Sequence, residues 1–342
     1  MRAGLLTILA ATWLGATMTS DSHSAPSPRA AVGEITRNGP ALDPLIAPGT
    51  RIEKLADGYG WTEGPVWIAD GRYWLFSDVP GNAIHRWSEA DGASVFLKPS
   101  GYTGSDTTLF REPGTNGLIV GPGKTILAAD HGNRAVASLD LETKRKTFLA
   151  TQYEGKKFNS PNDLVRARNG AIYFTDPPYG LAGMNESPLK EQKVNGVYRL
   201  DPDGKVSLIV PDLSFPNGVI LSPDESRLYV TVSDPTRAVI MAYDRAADGE
   251  ISNGRVFADL TPLVSKENPG LPDGMAVDAS GNLFSTGPGG VHVFAPDGTA
   301  LGLIRTGTAI ANCAFGEDGH TLFLASNNFV ARLRTKTKGL GF

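Results

Sequence analysis

The chain has 342 residues, with 32 Lys and Arg against 36 Asp and Glu, and a formal net charge of −4. That balance, with no basic block, speaks against nucleic acid or an anionic membrane as a partner and favours a small molecule or a metal ion. The apolar content suffices for one large core, the 40 Gly and 24 Pro are scattered between short apolar runs, and the single cysteine, Cys313, rules out an intramolecular disulfide.

At the start of the chain, Arg2 precedes an apolar stretch over residues 5–16, followed by small polar residues. This reads as an export signal over residues 1–24, too short to remain as a membrane span, with cleavage before Ala25 as one option. It predicts a periplasmic or secreted protein. A disordered Ser/Pro/Ala-rich leader is expected over residues 25–35, and one domain over residues 36–342.

A strand is predicted at residues 51–55, and then a repeat begins. Six times an oxygen-bearing side chain precedes a hydrophobic run, and a second run follows about ten residues later. The six are Glu63 (T-E-G-P-V-W), Asn116 (T-N-G-L-I-V), Asn162 (P-N-D-L-V), Asn217 (P-N-G-V-I-L), Asp273 (P-D-G-M-A-V) and Asn312 (A-N-C-A-F-G). A Gly-containing turn joins the two runs, as a hairpin requires. Third strands are read at residues 83–87, 196–200, 239–243 and 291–294, and fourth strands at 206–210 and 255–259. The pattern predicts an all-β, six-bladed β-propeller with four antiparallel strands per blade. The last repeat stops after its third strand near Arg334, so the strand at 51–55 is expected to complete that blade and close the ring.

Strand direction then locates a site. The innermost strands start at the oxygen-bearing residues, and the second-to-third connections return to the same face. Residues 130–134 and 176–180 and the long connections 99–115 and 153–161 should therefore surround one channel mouth. The D-G and D-P-D-G turns fall on the opposite face. Of the six axial positions only Glu63 and Asp273 are acids. Two carboxylates with neutral amides suit a hard divalent cation, with Ca²⁺ favoured over Zn²⁺. The competing explanation is that these side chains only form turns with nearby backbone. Cys313 reads as a small core residue. No nucleophile elbow, G-x-G-x-x-G or P-loop is present.

The segments W-T-E-G-P-V-W, S-P-N-D-L-V, F-T-D-P-P-Y-G, F-P-N-G-V, L-P-D-G-M-A-V-D and N-C-A-F-G resemble the gluconolactonase/SMP-30/regucalcin family, especially its exported bacterial branch. The resemblance runs from about Ile52 onward. It implies a six-bladed propeller whose axial divalent metal, usually calcium, serves lactone hydrolysis. It also implies Glu63, Asn217 and Asp273 as metal ligands. Asn162 matches a position that ligates in some members and contacts water or substrate in others. Asn116 and Asn312 match scaffold positions, Asn116 with a possible substrate contact.

On this reading a sugar lactone such as glucono-1,5-lactone is hydrolysed to the aldonic acid, with the carbonyl polarised by the metal and Asp273 as the first choice of base. His131, in D-H-G-N-R, is the second candidate, as proton shuttle or substrate contact. Arg134 and Tyr179 are candidates for holding hydroxyls or the product carboxylate, and the polar insertion at residues 180–193 is a candidate lid. Mg²⁺, Mn²⁺ or Zn²⁺ are the other metals to consider, and the expected state is a monomer. Two alternatives stay open: the same metal acting on a phosphoester or non-sugar ester, and a non-catalytic propeller with a structural metal that binds a partner.

Overall fold

The computed structural model describes Met1 and residues 29–342. The expected export signal and the first part of the leader lie outside the described residues, Met1 aside. Among the described residues five four-stranded and one five-stranded antiparallel sheet form six blades. Their innermost strands are Thr62–Ile68, Thr115–Val120, Leu164–Arg166, Pro216–Leu221, Met275–Val277 and Asn312–Gly316. Blade 6 contains three strands from the C-terminal repeat, and Glu53–Asp57 pairs with Phe329–Arg334 to complete it. The predicted closure is therefore found, with the strand two residues further along than expected. Among the described residues no helix is long and apolar enough to cross a membrane.

Burial falls from axis to rim. The second strands, such as Ile172–Asp176 and Thr321–Ser326, are buried throughout because a neighbouring blade packs on each face, so they read as continuous apolar runs. The fourth strands Gly92–Leu97 and Ile251–Asp259 are largely exposed. The core is accordingly divided between blade interfaces. Leu75, Ile84, Leu118 and Ile126 fill the space between blades 1 and 2, while Trp74 of blade 1 stacks on Phe323 of blade 6 with ring centroids 4.5 Å apart. Cys313 lies in the cluster between blades 5 and 6, where burial pushes its thiol up. This is the core role its sequence context suggested.

Two local features stitch the blades near the axis. The residue after most axial oxygens is glycine, and it abuts the next blade. A Cβ on Gly64 would lie 2.2 Å from the Asn116 carbonyl oxygen, and one on Gly218 would lie 2.2 Å from the Asp273 carbonyl oxygen. A hydroxyl on the second strand then donates to the axial backbone carbonyl of the next blade. Ser77 donates to Asn116 O at 2.8 Å, Thr175 to Asn217 O at 2.5 Å and Thr231 to Asp273 O at 2.8 Å. The register breaks at Glu63, Asn116 and Asn217 show the inner strands bulging there, which frees the side chains from the ladder.

The leader expected through residue 35 ends earlier than the sequence suggested. Glu34–Arg37 pairs with Ala300–Arg305 as a fifth strand of blade 5, and Ala31 bridges to Glu53. Composition hid this because an edge strand needs backbone pairing more than apolar side chains. The insertion at 180–193 contains a short turn at Met184–Glu186 and is bound down along its length. Leu181 is fully buried, Ala182 N donates to Leu109 O, and Gln192 donates to the carbonyls of Tyr153 and Lys156.

Candidate active site

At the mouth of the channel lies a cavity of about 470 Å³, whose lining includes Glu63, Asn116, Asn162, Asn217 and Asp273. Five of the six predicted axial residues thus meet in one place. Asn312, the sixth, stands behind them and donates from Nδ2 to Glu63 Oε2 at 3.2 Å, while its oxygen accepts the Cys313 N–H. Tyr179 also lines the cavity, stacked on Phe215, and its buried hydroxyl finds no hydrogen-bond partner among the described residues.

The two carboxylates are electrostatically poised. Glu63 is 2% exposed, and burial together with repulsion from Asp163 pushes it up to about 8, despite hydrogen bonds from Asn312, the Gly64 N–H and Trp61 Nε1. Asp273 is raised well above the ordinary carboxylate range by burial first, then by Glu63 and Asp163, with Asn217 opposing. The sequence reading missed Asp163. It follows Asn162 where Glu63, Asn116, Asn217 and Asp273 are followed by glycine, and burial raises it to about 7 even though it accepts the N–H groups of Leu164 and Val219.

The amides form a ladder. Asn116 Nδ2 donates to Asn162 Oδ1 at 2.8 Å, Asn162 Nδ2 donates to Asn217 Oδ1, and Asn217 Nδ2 donates to Ser233 Oγ at 2.9 Å. Among the described residues no three His, Cys, Asp or Glu side chains converge as a metal site. The donor set is instead two carboxylates and several amides. That set fits a hard divalent cation: the acids raise each other's affinity for positive charge, and Asn116 Oδ1 is buried without a partner. Glu63 and Asp273 face the shared space, and Asn217 lines it with an oxygen that now accepts from Asn162 Nδ2. Asn162 joins them when its amide is reversed, since its oxygen now accepts from Asn116 and sits 3.1 Å from His131 Nε2.

Two sequence-predicted contacts are corrected. His131 is fully buried and does not line the cavity; its ring stands behind the wall, with Nε2 on Asn162 and Nδ1 3.4 Å from Glu112 Oε2. Arg134 is also buried away from the cavity, where its guanidinium donates to Phe158 O and pairs with Glu191 of the insertion at 3.2 Å. The 180–193 segment itself contributes nothing to the lining; it buttresses the wall. In their place the cavity presents Arg111 and Glu112, from the end of the 99–115 connection, and Trp61. No motif or repeat marks those two charged residues, whose position depends on Arg111 N and Glu112 N donating to Gly180 O across the mouth.

Fold and site together define a six-bladed β-propeller carrying an oxygen-donor set at one end of its axis. The profile of the SMP-30/Gluconolactonase/LRE-like region matches residues 61–328, and the chain belongs to that family. It is 44% identical to a gluconolactonase of Zymomonas mobilis over 99% of this chain and 97% of that protein. The solved gluconolactonase of Xanthomonas campestris superposes with a TM-score of 0.76 at 31% identity, covering 91% of this chain and 99% of that one. A calcium-binding protein, regucalcin, from Agrobacterium tumefaciens shares the fold at 19% identity and a TM-score of 0.65, covering 84% of this chain and 94% of its own.

Proposed function

We propose that this chain is a lactone hydrolase, a carboxylic ester hydrolase acting on sugar lactones such as glucono-1,5-lactone, and that it uses a divalent cation, Ca²⁺ foremost. The observation that carries the reading is the pairing of Glu63 and Asp273 on the floor of a cavity, in a chain alike over nearly its whole length to a gluconolactonase. Glu63, Asn217, Asp273 and a reversed Asn162 would hold the cation. Such an ion, when bound, supplies the positive charge that polarises a lactone carbonyl.

The chain's own groups supply the rest. Asp273 is the base, because its carboxylate reaches the cavity and can face the ion with one oxygen while accepting a proton on the other. Water gives that proton to Asp273 as its oxygen bonds to the carbonyl carbon. The bond from that carbon to the ring oxygen then breaks as Asp273 returns the proton to the ring oxygen, and a hydroxy acid is released. Tyr179 and Asn116 offer hydrogen bonds to the ring substituents. His131 holds Asn162 in place instead of touching the substrate.

Export to the periplasm or exterior belongs to the same reading, supported by Arg2 and the apolar run at residues 5–16; N-terminal sequencing of the mature protein tests it. A pH-stat panel of aldonolactones, alkyl lactones and a phosphotriester tests the activity. Acid release above the spontaneous rate from aldonolactones is expected, and turnover of the phosphotriester alone would overturn the proposal.

A further inference from the structure

The cavity has two unlike walls. On the side of blades 4 to 6 Pro235, Val264, Leu271, Ala309 and Ile310 line it, interrupted by the polar Ser233, Ser265 and Asn268. On the side of blades 2 and 3 stand Arg111, Glu112, Asn116 and Tyr179, and Arg111 is the cationic side chain among the lining residues. A ligand matched to this space has one apolar C–H face and one edge rich in hydroxyl groups.

Glu112 is the centre of the polar wall. It is 8% exposed, and Oε1 pairs with the Arg111 guanidinium, Nη2 3.0 Å away, while Oε2 lies 3.4 Å from His131 Nδ1, which makes no hydrogen bond among the described residues. A carboxylate offers about four acceptor positions, so two such neighbours leave lone pairs directed at the cavity. Its backbone is pinned, since Arg111 N and Glu112 N donate to Gly180 O at 3.0 and 3.3 Å, and Arg111 Nη1 rests 3.7 Å from Met184 Sδ. Beside it, Asn116 Oδ1 and the Tyr179 hydroxyl are buried without partners. Unpaired buried polar atoms are rare in folded proteins, and here a ligand can supply the missing partners.

Resting on the lactonase reading above, we propose that Glu112, paired with Arg111 and flanked by His131, is the specificity-determining acceptor for adjacent hydroxyl groups of the substrate, and that Arg111 donates to the same hydroxyl oxygens. This subsite selects polyhydroxylated lactones over alkyl lactones of equal ring size. It also places the wall expected of Arg134 on Arg111. His131 ties the hydroxyl subsite to the axial amides through Asn162, so substrate recognition and the floor of the cavity share one strut.

The test compares glucono-1,5-lactone with δ-valerolactone in the holoprotein and in Glu112→Gln and Arg111→Met, alongside calorimetric binding of sorbitol and of 1,5-pentanediol. The expected result is a fall of about 10- to 100-fold in the ratio of kcat/KM for the sugar lactone to that for δ-valerolactone, mainly through KM. Sorbitol binding should weaken by a similar factor. Equal losses on both lactones would overturn the proposal, because Glu112 would then serve the shared chemistry. An unchanged ratio with unchanged sorbitol binding would overturn it too. If no lactone is turned over but sorbitol binding still depends on Glu112, the activity reading fails and the hydroxyl subsite stands. Melting curves of both variants guard against loss of fold, and agreement between the two substitutions is required.

Discussion

Blades 1 and 2 are built to the same plan yet end differently at the axis. Each inner strand bulges near its start, each axial side chain is followed by glycine, and each is buried against its neighbours. Blade 1 presents Glu63, with a carboxylate that burial drives up to about 8, whereas blade 2 presents Asn116, an amide bonded to its neighbour. The backbone near the axis is thus a shared device for making a ring, and the side chain projecting from it is free to vary. Chemistry is possible where the repeat is broken, at Glu63, Asp163 and Asp273, and stability resides where it is kept.

Breaking the comparison on the acid side should give the largest effect. Glu63→Gln and Asp273→Asn should each lower kcat/KM for glucono-1,5-lactone by about 10³-fold or more. The metal-free variants should melt at or above the wild-type temperature, because a desolvated carboxylate has been replaced by a neutral group of the same shape. Steady-state kinetics together with calorimetry in chelator check both halves.

Removing the strut behind the amides should act less strongly. His131→Ala leaves Asn162 Oδ1 with one partner and Glu112 with Arg111 alone. A loss of about 10- to 100-fold in kcat is expected, as for groups that orient ligands from behind. If His131 instead exchanged protons with the substrate, the variant would be rescued by added imidazole; no rescue is expected.

The acids also give a pH signature. Glu63 has a folded pKa of about 8 against an ordinary value of 4.5, so between these limits the folded state binds more protons than the unfolded state. The contribution is then fully present below about pH 4.5 and is lost as pH rises toward 8. Metal-free protein should therefore become less stable across that window. Added Ca²⁺ should raise the melting temperature more at pH 8 than at pH 5, since cation binding requires ionised ligands. A chelator-treated protein whose stability rises over this range would contradict the assignment of burial as the dominant cause.

On the repeated side of the comparison the effect should be smallest and confined to stability. Ser77→Ala removes the hydroxyl that donates to Asn116 O and should cost about 1 kcal/mol in unfolding experiments. Turnover should stay within about two-fold.

The same contrast explains what the sequence made legible. The ring was readable because turns, apolar runs and axial oxygens recur in register, and even the closing strand at Glu53–Asp57 followed from a blade one strand short. Glu63 and Asp273 stood out as acids in a series of amides. Arg111 and Glu112 did not, because they sit on a connection with no counterpart in other blades and are placed by Gly180 of a different blade. Arg134 follows its loop residue His131 closely in sequence, but its side chain is drawn to Phe158 O and Glu191, a choice set by the insertion. Asp163 was visible only as a missing glycine. Local patterns thus carried the scaffold, and long-range loop packing decided the wall of the cavity.

The central claim is that the carboxylates of Glu63 and Asp273 hold a divalent cation on which lactone hydrolysis depends. Its most direct test is pH-stat hydrolysis of glucono-1,5-lactone by the same protein sample before chelation, after chelation and after titration with Ca²⁺. The account predicts a rate above the spontaneous background that collapses on chelation and returns with a saturable dependence on added ion, and that Glu63→Gln shifts that saturation to higher concentration. A rate unchanged by chelation, or one never above background at any cation concentration, would contradict it.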